Sequence, residues 1–219
     1  MFVVKIPGIN GLGKTKGCET SGNSILRILK EEIFSNEAGK KIEFEKLDLE
    51  EIHLDNSNVL YSNELIYKNS FNSFEEHFKV IFLGGDHSVS YSITRAFFDY
   101  VQNNKDKNNG REPCLIVFDA HPDVMPLVDE KIPTHEEWLR ALIEDGFPAK
   151  NILLVGVRNS DPAEIEFLEE KGIKQISINE INLDLESATD VITEFSSGKE
   201  LYVSFDIDAI DPAFAPSTG

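Results

Sequence analysis

Cysteine is nearly absent from this sequence: Cys18 and Cys114 are the only two in 219 residues. Two cysteines set no disulfide framework, and their spacing fits no zinc pattern. Cys114 opens an apolar run and reads as a small buried residue. Long apolar runs are missing as well. None approaches the ~20 residues that a membrane-spanning helix needs, so no membrane partner is expected. Phe2-Val3-Val4-Lys5-Ile6 is too short and wrongly flanked for a signal peptide, and a cytoplasmic protein is the expectation. Basic residues are scarce: 21 Lys and Arg stand against 39 Asp and Glu, a net charge of −18. Nucleic acid needs a basic footprint on its partner and is disfavoured. A cationic substrate or metal ions suit this balance, and so does plain solubility.

What is present is ordinary for a globular chain. The hydrophobic share is 41%, and the length suits one core, so residues 1–219 are read as a single domain. Short apolar runs bounded by turn residues predict strands at 2–6, 80–83, 115–118, 151–157, 174–178 and 201–205. Alternation of apolar and charged residues predicts a further, edge-like strand over 42–49. Helices are expected from near Ser24, over about 62–78, from Ser88 to about Val101, after Thr134, after Asp161 and over about 187–196. Strands alternating with helices predict an α/β fold with a mostly parallel sheet.

The first loop, from Gly8 to Thr15, matches the phosphate-binding pattern G-x-x-x-x-G-K-[ST] through Gly8, Gly13, Lys14 and Thr15. Such a loop works when a helix starts at its Lys-Thr end and aims free N–H groups at the phosphates. Here Gly17 and Gly22 follow, and the helical pattern begins only near Ser24. A long surface turn is the competing and preferred reading.

Three predicted strand ends carry acidic or imidazole groups. Gly84-Gly85-Asp86-His87-Ser88 follows one, and its double glycine permits a tight turn that delivers His87. Asp119-Ala120-His121-Pro122-Asp123 follows another. If that chain stays extended, Asp119, His121 and Asp123 share one side. Asp206-Ile207-Asp208 ends the last strand, again with two carboxylates at a spacing of two. A strand-to-helix turn, with Asp as cap, is the plainer account of each motif alone. Clustered carboxylates nevertheless repel each other or cost desolvation unless a cation sits among them. Oxygen and nitrogen donors without thiolate suit Mn²⁺, and four aspartates balance the charge of two divalent ions.

The three motifs, Leu83-Gly84-Gly85-Asp86-His87-Ser88, Phe118-Asp119-Ala120-His121-Pro122-Asp123 and Ser204-Phe205-Asp206-Ile207-Asp208-Ala209-Ile210-Asp211-Pro212, resemble the signatures of the arginase/agmatinase/formiminoglutamase (ureohydrolase) family. The resemblance runs along the chain in order and spacing. It implies a three-layer α/β/α sandwich and two Mn²⁺ ions. One ion falls to His87, Asp119, Asp123 and Asp206. The other falls to His121, Asp119, Asp206 and Asp208. It also implies hydrolysis of a small cationic guanidino substrate to urea and an amine, in a homo-oligomer. Asp123 is then placed to hydrogen-bond the attacking hydroxide. His135 matches the family histidine that passes a proton to the leaving amine, although read locally it is equally a first-turn residue. Asp161 lies in a loop, Arg158-Asn159-Ser160-Asp161-Pro162, that resembles the arginase loop facing the substrate's amino end.

Departures from the family pattern bear on the substrate. Val124-Met125-Pro126-Leu127 replaces the polar residues with which arginases hold an α-carboxylate. Asp211-Pro212-Ala213-Phe214-Ala215-Pro216 is nearer to agmatinases. Agmatine or another decarboxylated guanidine is therefore weakly preferred. The sequence stops inside the third signature, at Ser217-Thr218-Gly219. The expectation is an arginase-like domain incomplete at its C-terminus, lacking a strand that in the family lies between the strands at 80–83 and 201–205. Those two strands should then show unpaired edges and exposed apolar faces, which a C-terminal complementing chain would cover.

Overall fold

The computed structural model describes residues 1–41, 43–216 and 218. The chain divides into two compact units: residues 1–96 with 129–135, and residues 97–128 with 136–219. Among the described residues, all strand pairs within both sheets are parallel, as the expected α/β class requires.

The first unit holds a three-stranded sheet. Its middle strand is β1 (Phe2–Lys5), flanked by β2 (Asp48–Glu51) and β3 (Val80–Leu83). Phe2, Val3 and Val4 are buried, whereas every residue of β2 is exposed. The helices are α1 (Ser21–Glu31), α2 (Val59–Glu76) and the start of α3 (Val89–Asn103). β2 corrects the expected strand over 42–49. Phe44–Lys46 form one turn of 3₁₀ helix, and Ile42 lies outside the described residues. Pairing decides the register here: Asp48 sits opposite Phe2, so the strand starts where β1 supplies partners.

The second unit holds a four-stranded sheet in the order β6 (Lys174–Ser177), β5 (Ile152–Val157), β4 (Pro113–Phe118), β7 (Glu200–Phe205). Its helices include α4 (Trp138–Glu144), α5 (Pro162–Lys171), α6 (Ile178–Leu183) and α7 (Leu185–Ser196). β4 and β5 are central and covered on both faces, which is why they read as unbroken apolar runs. On one face Cys114, Ile116, Leu153, Val155 and Ile176 pack with Ala188 and Phe195 of α7. Cys114 is therefore core, as expected. α6 was not anticipated, yet Ser177 and Glu180 form a reciprocal capping box at its start.

β3 and β7 are each an end strand of their sheet, as expected. On β7, Leu201, Val203 and Phe205 alternate along one face and are 44–56% exposed, while Ser204 between them is buried.

The double glycine after β3 has a packing reason. A Cβ on Gly85 would lie 2.0 Å from the Gly8 carbonyl oxygen, which itself accepts the Asp86 N–H at 3.1 Å. Backbone cannot yield as a flexible side chain does. Gly85→Ala is expected to destabilise the protein by about 2–3 kcal/mol, the upper part of the overpacking range. Equilibrium denaturation in urea measures this, and a loss under ~0.5 kcal/mol would contradict the packing argument.

Candidate metal centre

In a parallel sheet all carboxyl ends lie on one edge, and in the second unit the acidic motifs follow those ends. The ladder runs one residue past each strand: Asp119 N–H donates to the Val155 carbonyl at 3.1 Å, and Asp206 N–H to the Phe118 carbonyl at 2.9 Å. The backbone then turns. Asp119 Oδ1 accepts the His121 N–H at 2.7 Å, and Asp206 Oδ1 accepts the Asp208 N–H at 2.9 Å. Residues 207–209 form a 3₁₀ turn with Asp206 at its cap. The spacing of two therefore works through side chain-to-backbone turns, not through continued strand alternation.

These turns bring one ligand atom each from Asp119, His121 and Asp208 within 4.8 Å of one another. Asp119 is 1% and Asp208 6% exposed. His121 Nδ1 lies 2.9 Å from Asp208 Oδ2 and 3.7 Å from Asp119 Oδ1. Asp208 Oδ1 also accepts the Ala120 N–H at 2.9 Å, tying the two turns together. Two buried carboxylates and an imidazole form a hard oxygen and nitrogen donor set with no thiolate, which fits a divalent cation of the Mn²⁺ class.

Two residues of the next loop, which sequence reasoning passed over for this role, complete the frame. Arg158 donates through Nη2 to the Asp208 carbonyl at 2.5 Å, and the Arg158 and Asn159 N–H groups both reach the Ala120 carbonyl. Asn159 Nδ2 lies 3.1 Å from His121 Nε2. With neutral His121 carrying its proton on Nδ1, the Asn159 amide donates to Nε2. With the ring charged, that amide must turn its oxygen to the ring.

Asp123 stands apart from this cluster. Its φ of 54° is left-handed, so the extended arrangement of Asp119, His121 and Asp123 does not form. Instead the Trp138 indole N–H donates to Asp123 Oδ2 at 2.8 Å, and the Leu139 N–H donates to the Asp123 carbonyl at 3.2 Å. The start of α4 thus sets the conformation of Asp123. The following residue is fixed by Glu164, whose Oε1 accepts the Val124 N–H at 3.1 Å and whose Oε2 accepts the Asp161 N–H at 2.9 Å. Burial raises the Glu164 pKa, opposed by those N–H donors. Asp161 caps α5, with Oδ1 accepting the Ala163 N–H. The sequence Asp161-Pro162-Ala163-Glu164 carried that capping signal openly. Trp138 gave none, because only folding brings it to Asp123.

His87 is in the first unit, buried, after β3. His135 lies in that unit too, half-buried in a turn, and is not a first-turn helical residue. α4 starts at Trp138, three residues later than Thr134 capping implies. The Glu136 carbonyl accepts the Met125 N–H, and this tie holds the chain out of helical geometry.

The glycine loop beside His87 has an occupant other than phosphate. The Asp86 carboxylate takes the Asn10 N–H at 2.8 Å, the Thr15 hydroxyl at 2.6 Å, and the Ser88 N–H and hydroxyl at 3.1 and 2.5 Å. Gly11 is required by the same fold, since its Cβ would meet Thr15 Oγ1 at 2.0 Å. Helix α1 begins only at Ser21, beyond the loop.

Comparison with known proteins follows the motifs. The model of the Arginase family matches residues 3–219. Arginase 1, mitochondrial, of Oryza sativa subsp. indica is 30% identical over 143 residues, covering 65% of this chain and 39% of that protein. The N(1)-aminopropylagmatine ureohydrolase of Thermus thermophilus is 28% identical over 140 residues, 64% of this chain and 43% of that one. The match thus spans less than half the length of either relative. The solved structure of formimidoylglutamase from Bacillus subtilis has a TM-score of 0.80 at 20% identity, covering 98% of this chain and 67% of its own, a likeness of fold.

Two predictions follow from this geometry. Trp138→Phe keeps the ring packing and removes the donor to Asp123. If Asp123 is a ligand, divalent-cation affinity should fall about 10- to 100-fold, the usual cost of losing such a supporting contact; calorimetric titration reads it, and unchanged affinity counts against Asp123 as a ligand. The second concerns pH. Hydrogen bonding to Asp119, then to Asp208, pushes the His121 pKa from 6.5 up to about 10. A raised native pKa stabilises the fold fully below the unfolded value, and this is lost as pH rises through the native one. Thermal stability of metal-free protein should therefore decline between about pH 6.5 and 10, and His121→Asn should flatten that decline.

Proposed function

We propose that this chain, which belongs to the arginase family, carries the metal-bearing part of a binuclear manganese ureohydrolase that cleaves a guanidino C–N bond to give urea and an amine. The observation that carries this reading is the meeting of two buried carboxylates, Asp119 and Asp208, with the half-buried His121 ring. Such a set is costly to bury without a cation. The ligands proposed, on the family motifs, are His87, Asp119, Asp123 and Asp206 for one ion and His121, Asp119, Asp206 and Asp208 for the other. When bound, two such ions make hydroxide available from water near neutral pH and stabilise negative charge as it develops.

The chain's own residues do the rest. The Asp123 carboxylate, oriented through Oδ2 by Trp138, accepts a hydrogen bond from the nucleophile as it approaches the guanidino carbon. His135 delivers a proton to the leaving amine nitrogen, so that a neutral amine departs. Asp161 attracts the cationic far end of the substrate. Its Oδ1 is held by the Ala163 N–H, which fixes the direction of the carboxylate. The net charge of −18 draws a cationic substrate inward over long range. Val124 is fully buried behind the metal loop, and the apolar run it begins supplies no partner for an α-carboxylate. Agmatine or another decarboxylated guanidine is therefore preferred to arginine. A complementing C-terminal chain belongs to this reading, because Leu201, Val203 and Phe205 leave an apolar face of β7 uncovered. So does assembly into a homo-oligomer.

The test is urea release with Mn²⁺ across a panel of guanidino compounds, with and without a candidate C-terminal partner. Turnover is expected with a decarboxylated guanidine, and Asp206→Ala should reduce it to below about a hundredth, because ligand loss exceeds the 10- to 100-fold cost of losing an outer contact. Bound Mn²⁺ without urea from any compound, even with the partner supplied, points instead to a non-catalytic metal-binding assembly protein.

A further inference from the structure

The loop from Gly8 to Thr15 is the one sequence motif that the proposed reaction leaves without a task, and its contacts give it one. Two parts of Asn10 face two different segments. Its backbone N–H donates to Asp86 Oδ2 at 2.8 Å, next in sequence to His87. Its side-chain amide donates both protons elsewhere, to the Ile132 carbonyl at 2.8 Å and the Pro133 carbonyl at 3.0 Å. Those carbonyls lie two and three residues before His135. All of these groups belong to the first unit.

The loop is itself well fixed. Thr15 Oγ1 donates to the same Asp86 oxygen, the Lys14 N–H closes a turn onto the Gly11 carbonyl, and Asn56 Nδ2 holds the Pro7 carbonyl. The segment it grips, within residues 124–137, has no helix or strand of its own, and its anchors are single-residue contacts, with Thr134 buried at 3% exposure and Val128 to Lys131 exposed. A carboxamide NH₂ offers two protons, and here both find carbonyl acceptors on that segment.

We infer that Asn10 is a positioning residue: it joins the glycine loop to the segment 132–135 and so holds His135 where a proton can be delivered. The inference rests on the role proposed for His135. Proton transfer needs its donor within hydrogen-bond reach, and a displacement of about 1 Å can cost a hundredfold in rate. Gly8 and Gly11 then serve close packing against Gly85 and Thr15, and Asn10 lies between them in the loop.

Asn10→Asp tests this with almost no change of shape, because a carboxylate has no proton to donate to either carbonyl. Asn10→Ala is the second variant, should the added charge unfold the loop. Both keep the backbone N–H to Asp86. In each, amide exchange within residues 129–135 is expected to quicken by about tenfold or more as this local opening becomes easier, with Mn²⁺ affinity within about twofold of the parent. Turnover with the best guanidino compound should fall about 10- to 100-fold with KM little changed. The double variant with His135→Ala should be no slower than His135→Ala alone, since residues acting as one unit are not additive. Unchanged exchange in both variants overturns the tether. Faster exchange with unchanged turnover, or losses that add in the double variant, overturns the link to His135. If the parent releases no urea, the proposed function fails and the exchange measurement still decides whether Asn10 holds the segment.

Discussion

Two carboxylates with almost no access to water, Asp119 and Asp208, sit beside one imidazole at the carboxyl end of β4. Removing such charges from water is expensive unless something of opposite sign or a set of donors replaces the solvent. Most of the second unit's architecture near this edge meets that requirement. The Ala120 N–H turns inward to Asp208 and the His121 N–H to Asp119, while the Asp208 N–H caps the neighbouring Asp206 carboxylate. The His121 ring leans on both acids and takes up positive charge readily, as its raised pKa records. A divalent cation meets the same need more completely, and the donor chemistry suits one.

Asp86 makes an instructive contrast. It is also a buried carboxylate after a parallel strand, at 7% exposure. Four hydrogen-bond donors from Asn10, Thr15 and Ser88 satisfy its two oxygens. A carboxylate so enclosed is a structural anchor, and it is the neighbouring His87, not Asp86, that the proposed ligand set includes. The pattern that reads as a phosphate loop folds around a carboxylate. The loop gives this carboxylate one backbone N–H, from Asn10, and the Thr15 hydroxyl, so a match to the pattern does not by itself specify phosphate.

The motifs and most elements were legible in the sequence because they depend on local rules. β4 and β5 are buried on both faces, so their sequences are continuously apolar. Asp161-Pro162-Ala163-Glu164 is a helix start in any context. Errors fell where a distant partner decides the outcome. Pairing with β1 places β2 at Asp48, beyond the alternating run that suggested 42–49. The bond from Met125 N–H to the Glu136 carbonyl delays α4 until Trp138. Asp119, His121 and Asp123 were expected to line up as strand neighbours, yet the left-handed φ of Asp123 turns it toward Trp138.

The sequence by itself determined the α/β alternation, the acidic strand ends and the family, because hydrophobic period, turn chemistry and motif spacing are properties of short stretches. The tertiary structure alone decided which acids meet. Asp208 reaches His121 from 87 residues away because β4 and β7 pair in parallel and end together. Trp138 reaches Asp123, and Asn10 reaches the carbonyls before His135, for the same kind of reason. A side-chain donor's partner is fixed by the register and packing of elements far apart in sequence, and no local pattern encodes that distance.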